Sequence, residues 1–467
     1  MTAREEPCIR ILVPAGVLGW GISADEIVAG LALAPHAIAV DAGSTDSGPA
    51  YLATGRSKYG RQSVKRDLSI LMDARRRAGI PLLIGSCGTS GCDMAVDQTL
   101  EIAMEVARDQ GSALRIAVIY SEQSAENLKA KNADGKVTPL PPASPLNDEN
   151  LEACSHIVAL LGPEPYIAAV AAGADIVLGG RTTDTAVLAA FPLMRGVDVA
   201  AAWHAAKVAE CGGLCTVNPT SPGVMMSIDG GGFTIEPLSP RNRCTPETVS
   251  AHMLYENSDP FRLVEPGGVL DVTDAEYRAI DERRVRVTGS RWEIKPYTMK
   301  LEGAGGGPFQ TFMLVGIEDP AVLEDVDSFV ERMQRGLRER MTRTLGRDAA
   351  AIDISLRPYG WNAVSGRPVS GNAAPPREIG LMFVATAPTQ ALATEAARIC
   401  NPLFFHFPVR EGNELPSYAF PFSPAEVERG QVFEFHLNHV VHTASPFELA
   451  RTRWVEVAAA QGRAARA

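Results

Sequence analysis

The chain has 467 residues, 46% of them hydrophobic and 21% charged, with a net charge of −11, which is enough material for a large core and two or three globular domains. The acidic balance, with no basic run beyond Arg75-Arg76-Arg77, argues against nucleic acid as a partner. No apolar run approaches the roughly 20 residues that span a bilayer, and Met1–Pro7 lacks the apolar core of a signal peptide. The eight cysteines are scattered without CxxC spacing, so neither a disulfide framework nor a zinc ribbon is expected, and the expected location is the cytoplasm.

In chain order, Ile9–Pro14 reads as a first strand, followed by glycines at 16, 19 and 21 that match a dinucleotide fingerprint only in part, which disfavours a dinucleotide-dependent oxidoreductase. Ser23 caps a short helix. Ala37–Val40 is a short buried strand that runs into Asp41-Ala42-Gly43-Ser44-Thr45-Asp46-Ser47-Gly48-Pro49. Two carboxylates, three hydroxyls and two glycines make poor core and poor helix, but they suit a loop whose amide groups turn toward a polar ligand.

The construction recurs in Pro81–Ile84 leading to Gly85-Ser86-Cys87-Gly88-Thr89-Ser90-Gly91-Cys92-Asp93, and in Ala174–Leu178 leading to Gly179-Gly180-Arg181-Thr182-Thr183-Asp184-Thr185. In an open parallel sheet these loops share the carboxyl edge, where α/β proteins bind ligands. Arg56, Lys58 and Arg61 stand between the first loop and an amphipathic helix over 63–79. They either pair with Asp41, Asp46 and Asp67 or bind a carboxylate or phosphate.

Helices over 93–110 and 124–132, a strand over 114–120 and a proline-rich excursion over 136–146 follow. The strand–helix alternation resumes at 156–161 and 163–173, so residues 8–215 read as a mainly parallel, Rossmann-like α/β sheet with helices on both faces. Residues 216–308 read as an irregular β-rich segment, with a hairpin turn at Asp229–Phe233. There Lys300 and Glu302 stand beside the glycine run 303–307 and form a further candidate catalytic pair. From 309 to 455 the order βαββαβ predicts a ferredoxin-like α+β subdomain with helices over 326–345 and 389–400. In the last strand His436 and Asn438 share one face while His439 takes the other, so His436, His439 and His442 cannot all point at one metal; His406, amid aromatic residues, reads as a buried, hydrogen-bonded histidine.

Asp41–Pro49, Arg66-Asp67-Leu68, Gly85–Gly91, Gly180–Ala186, Glu210-Cys211-Gly212, Val287–Trp292, Lys300–Gly303 and Ala419–Pro424 together resemble the acyclic terpene utilisation (AtuA) family, over roughly residues 8–455. The resemblance implies a role in carboxylic acid catabolism. The family is named for a pathway that degrades terpenes through branched acyl-CoA esters, where the member is associated with a lyase step, and some relatives occur beside a small companion protein.

With these residues, the resemblance implies an enzyme acting on a small hydroxy or branched carboxylate or its acyl-CoA ester by lyase or hydro-lyase chemistry. Asp46 or Asp93 would be the base if its pKa is raised. Gly43, Ser44, Thr45, Ser86, Gly88 and Thr89 would hold the anionic group, and Arg56, Arg61 and Arg181 a substrate carboxylate. Alternatively, Asp41, Asp46, Asp93 and Asp184 would gather a hard divalent cation such as Mg²⁺. The rival reading is a non-catalytic component that binds an acyl-CoA or carboxylate within a complex: an enzyme should hold these groups in one cleft, a scaffold should leave them scattered. The chain's size points to a homo-oligomer.

Overall fold

The computed structural model describes residues 8–369, 374–409 and 418–458, so Met1–Pro7, part of the 362–377 loop and the polar run Arg410–Glu414 lie outside the described residues. The chain forms two compact units, one from residues up to 305 and from 435 onward, the other from 306 to 434.

At the centre of the first unit five strands run parallel in the spatial order Ile9–Val13, Ala37–Gly43, Leu82–Thr89, Ile176–Gly179 and Leu114–Tyr120. They read as continuous apolar runs because both faces are covered. Helices Ala24–Ala32, Arg61–Ala78 and Asp93–Asp109 pack through Ile27, Leu68, Leu71, Val96 and Ala103 on Leu12, Ile38, Val40 and Ile84. On the opposite face Glu164–Ala171, Asp184–Met194 and Val199–Ala209 pack through Tyr166, Ala189 and Trp203 on Ile11, Val13 and Ala39. Each fully buried Leu, Ile or Val contributes about 1.5–3 kcal/mol relative to exposure.

The ten-stranded sheet as a whole is mixed rather than mainly parallel. Val224–Asp229 runs antiparallel to the first strand and is joined to Gly232–Pro237 by the Gly230-Gly231 turn; Val285–Thr288 and Glu276–Ala279 continue the same edge. Arg451–Val457 closes the other edge, antiparallel to Leu114–Tyr120. A two-residue turn reverses the chain, whereas a parallel neighbour would need a long crossover, so the hairpins after residue 223 fix the antiparallel half. The segment 216–308 therefore extends the central sheet through its hairpins, while Arg262–Glu265, Gly268–Asp271 and Arg291–Ile294 form a small three-stranded sheet and residues from 298 onward enter the strand Thr298–Ile317 of a separate seven-stranded sheet.

In the second unit, residues 309–317 pair antiparallel with Ile379–Ala387, which pairs with Asp353–Tyr359. Helices Val326–Leu345 and Gln390–Cys400 cover one face through Phe329, Met333, Leu337 and Ala396. The strict alternation of buried and part-buried residues along Ile379–Ala387 is that of a sheet covered on one face.

Two local expectations are corrected. His406 ends the short helix Leu403–His406 and is exposed rather than buried: Phe404 and Phe407 pack on Phe383 and Phe329, which leaves His406 outside together with the neighbouring exposed Phe405 ring. Of the triplet Arg75-Arg76-Arg77, whose helical pattern predicts a solvated face, Arg76 and Arg77 are exposed, but Arg75 pairs with Asp175 at 2.7 Å and bonds the Ile80 carbonyl.

Candidate functional site

The site grows from an irregularity between two parallel strands. Asp41 pairs with Gly85 and Gly43 with Thr89, so Ser86, Cys87 and Gly88 together face Ala42 alone. To make this detour the backbone turns left-handed at Ser86 (φ 48°), Gly88 (φ 68°) and Thr89 (φ 78°). For Ser86 and Thr89 this costs about 1–2 kcal/mol each. Hydrogen bonds offset the cost: Ser86 Oγ donates to the Thr182 carbonyl at 3.2 Å and accepts from the Thr182 amide at 3.2 Å, while Thr89 Oγ1 accepts the Lys58 amide at 3.0 Å.

Arg181 ties the three loops together. Its buried guanidinium donates to Glu302 Oε2 (3.1 Å), Ser86 Oγ (3.1 Å), Asp184 Oδ1 (3.3 Å) and Thr45 Oγ1 (2.6 Å). The approach requires glycine at two points. A Cβ on Gly43 would stand 2.5 Å from Arg181 Nη1, and one on Gly91 would stand 2.2 Å from the Arg181 amide nitrogen. Burial acts to lower the Arg181 pKa, but the Glu302, Asp184 and Asp41 carboxyls outweigh it and raise it. Burial likewise acts to raise the Glu302 pKa, and Arg181 and Lys300 hold it below the ordinary value instead. Lys300 Nζ stands 3.3 Å from Glu302 Oε1, which also accepts from Thr45 Oγ1 at 3.2 Å.

Beside this hub lies a cavity of about 240 Å³ whose wall carries five carboxyls, Asp41, Asp46, Asp184, Glu210 and Glu256, with Lys58, Tyr59, Tyr255 and Cys211. Part of the wall is the loop containing Gly16, Val17 and Trp20. Buried Asp67 pins that loop by accepting the backbone N–H groups of Gly19 (2.9 Å), Gly21 (3.2 Å) and Ile22 (3.0 Å). Asp67 is thus a loop anchor and not a partner for Arg56 or Arg61.

The carboxyls titrate apart. Burial, reinforced by Asp184, pushes Asp41 up to about 8, against the pull of Arg181 and of the Gly43 amide that its Oδ2 accepts at 2.7 Å. Asp46 moves the other way. A hydrogen bond from the Glu256 carboxyl lowers its pKa despite partial burial, helped by Tyr255, whose hydroxyl donates to Oδ2 at 3.1 Å. Glu256, held on a left-handed turn (φ 57°), is pushed up to about 7 by burial and by Asp46. The condition set for Asp46 as base, a raised pKa, is therefore not met by Asp46 itself; the raised group of the pair is Glu256. Glu210 is raised well above the ordinary value by burial, against the pull of its hydrogen-bonded partner Lys207.

Most of the expected residues converge here: Asp41, Gly43, Ser44, Thr45, Asp46 and Asp184 line the cavity, and Ser86, Arg181, Glu302 and Lys300 form the hub beside it. Arg56, Arg61, Gly88 and Thr89 line a neighbouring cavity of about 510 Å³ with Leu18, Val64, Ala95 and Ile102, sharing Tyr59 with the first. Arg61 also pairs with Glu105 at 2.6 Å. Asp93 stands apart: it begins helix Asp93–Asp109 and its carboxylate is hydrogen-bonded to Arg451. It lines neither cavity.

The expected Mg²⁺ set of Asp41, Asp46, Asp93 and Asp184 is accordingly not gathered. Among the described residues, the donors that lie within 4.8 Å of one another are Glu210–Cys211–His252 and Cys92–Glu122–His156. In the first group the Lys207 ammonium lies against Glu210, so a cation there would meet a like charge. His252 is held neutral, its pKa lowered to about 4 by burial and by Lys207.

Glu256, Tyr255 and Glu210 are the site residues that local reading missed. Glu210 sits in the quoted motif Glu210-Cys211-Gly212, and that motif was the available signal. Glu256 carries none, since it lies on an ordinary-looking stretch far along the chain.

By fold this is an α/β protein in which polar groups converge from loops at the carboxyl ends of adjacent parallel strands. Residues 41–412 match the model of the acyclic terpene utilisation family protein AtuA, and the chain belongs to that family. No curated protein and no solved structure matches the chain.

Proposed function

We propose that this protein is an enzyme that moves protons on a small hydroxy or branched carboxylate, or on its acyl-CoA ester, in a lyase or hydro-lyase reaction. The observation that carries the reading is the Asp46–Glu256 pair: two carboxyls in one cavity, one with its pKa lowered and its partner raised to about 7. Carboxyl pairs whose environments push them apart divide acid and base roles. In a hydro-lyase direction the Asp46 carboxylate, ionised at neutral pH although its lowered pKa makes it the weaker base of the pair, takes the proton from the carbon beside the carbonyl, a carbon–carbon double bond forms, and the Glu256 carboxylic acid protonates the departing hydroxide as water. The pair then redistributes its proton.

The charge that develops on the substrate carbonyl oxygen needs donors. Lys58 on the cavity wall is of that kind. The neighbouring cavity, with Arg56, Arg61 and an apolar wall, suits the carboxylate or chain of the substrate. For the fold, the five parallel strands with helices on both faces support a Rossmann-like reading of the first unit. The spatial order of Asp353–Tyr359, Ile379–Ala387 and Thr298–Ile317 followed by Val427–His442, with two covering helices, supports a ferredoxin-like reading of the second.

The test is a thermal-shift and turnover panel of hydroxy-carboxylates and their CoA esters on the wild type, Asp46→Asn and Glu256→Gln. The active wild type should lose activity as pH rises through about 7, where Glu256 gives up its proton, and both variants should lose turnover by roughly 10²–10⁴-fold while still folding. A ligand that stabilises all three proteins equally with no turnover in any would replace the enzyme by a carboxylate- or acyl-CoA-binding component of a complex.

A further inference from the structure

Away from the carboxylate cavity, Cys92, Glu122 and His156 bring one donor atom each to within 4.8 Å of the others. They come from three elements: Cys92 is the residue before helix Asp93–Asp109, Glu122 follows strand Leu114–Tyr120, and His156 opens strand His156–Ala159. His156 Nδ1 and Glu122 Oε1 are 2.6 Å apart, and Glu122 Oε2 accepts the Asp93 amide at 2.8 Å. The absent side chain of Gly55 marks the space between sulfur and nitrogen. A Cβ there would stand 3.5 Å from Cys92 Sγ and 3.6 Å from His156 Nε2, in a position now filled by the terminal methyl of Met94, a part-exposed and flexible side chain. Asp93 Oδ1, on the residue next to Cys92, is buried with no hydrogen-bond partner among the described residues.

We propose that Cys92, Glu122 and His156 form a binding site for a transition-metal ion of the zinc class. One sulfur, one nitrogen and one oxygen donor is a zinc ligand set, and three protein ligands leave a fourth position open. Tetrahedral zinc with bonds of 2.0–2.3 Å spaces its ligands roughly 3.3–3.8 Å apart, so a spread of 4.8 Å needs only side-chain rotation to close. Mg²⁺ and Ca²⁺ are poor matches because both take hard oxygen ligands. Binding displaces the thiol proton of Cys92 to solvent, since the thiolate is the ligand form. The bland alternative is a Glu122–His156 ion pair beside an unrelated buried thiol. The proposal does not depend on the chemistry assigned to the carboxylate cavity.

The experiment uses the full chain, stripped with chelator and titrated with Co²⁺, with Zn²⁺ as competitor. The wild type should bind one equivalent with a thiolate-to-cobalt charge-transfer band. Cys92→Ser should lose that band, and Glu122→Gln and His156→Gln should each weaken binding on the order of a hundredfold. Because Cys92 is buried and its variant could fail to fold, the part-exposed Glu122 and His156 variants carry the test independently, with circular dichroism checking each. A wild type without the band, a band that survives in Cys92→Ser, or an affinity unchanged in both of the other variants would overturn the site.

Discussion

Replacing Asp41 with Asn should stabilise the protein, and by more as the pH rises. Asp41 is buried, and its pKa is pushed from an ordinary 3.8 up to about 8, chiefly by burial and then by Asp184. Between those values the native state holds a proton that the unfolded state has released. Native protein then binds more protons than unfolded protein, so stability falls with rising pH, by about 1.4 kcal/mol per pH unit, from above pH 4 until the native pKa is reached. Asn is close to the shape of the neutral acid, keeps an oxygen to accept the Gly43 amide, and has no charge to bury. The variant and the wild type should therefore be nearly equal in acid and diverge through neutrality, with the variant ahead by about 3 kcal/mol more at pH 8 than at pH 5.5. Urea unfolding followed by tryptophan fluorescence reads the first unit, whose core holds the stacked Trp203 and Trp292. A stability difference that stays flat over this range, or grows toward acid, would refute the claim that Asp41 is buried as the neutral acid.

Truncating the hub with Arg181→Met should destabilise the first unit by about 3–5 kcal/mol, since it leaves Glu302 buried and uncompensated, and adding Glu302→Gln should recover part of that loss in a double-mutant cycle by chemical denaturation. Gly43→Ala should cost about 1–3 kcal/mol in the same assay, because its Cβ would stand 2.5 Å from Arg181 and 2.6 Å from Ser86 Cβ; an unchanged midpoint would mean that the hub can yield. With these go the turnover losses expected for Asp46→Asn and Glu256→Gln and the cobalt titration at Cys92.

The sequence by itself determined the parts that depend on near neighbours. Apolar runs ending in Gly-, Ser- and Asp-rich loops located three of the parallel strands and the edge where their loops meet, because a strand buried on both faces must be continuously apolar and a chain leaving it must bend. Amphipathic spacing placed helices Val326–Leu345 and Arg61–Ala78 within two residues of their observed ends. That Asp41, Asp46, Asp184 and Arg181 would come together on one edge was legible for the same local reason.

What only the tertiary structure decided is pairing across long separations. Asp46 meets Glu256, Arg181 meets Glu302, and Cys92 meets Glu122 and His156, each brought together by strand order rather than by any spacing along the chain. Asp93 shows the limit of a composition argument. It sits in a loop of the right residue types, yet as the first residue of its helix it carries its carboxylate to Arg451 and away from the cavity. The pKa values belong to the same category. Residue type sets where a carboxyl starts, while burial and the charges folded against it decide that Asp41 and Glu256 keep their protons near neutrality and Asp46 does not.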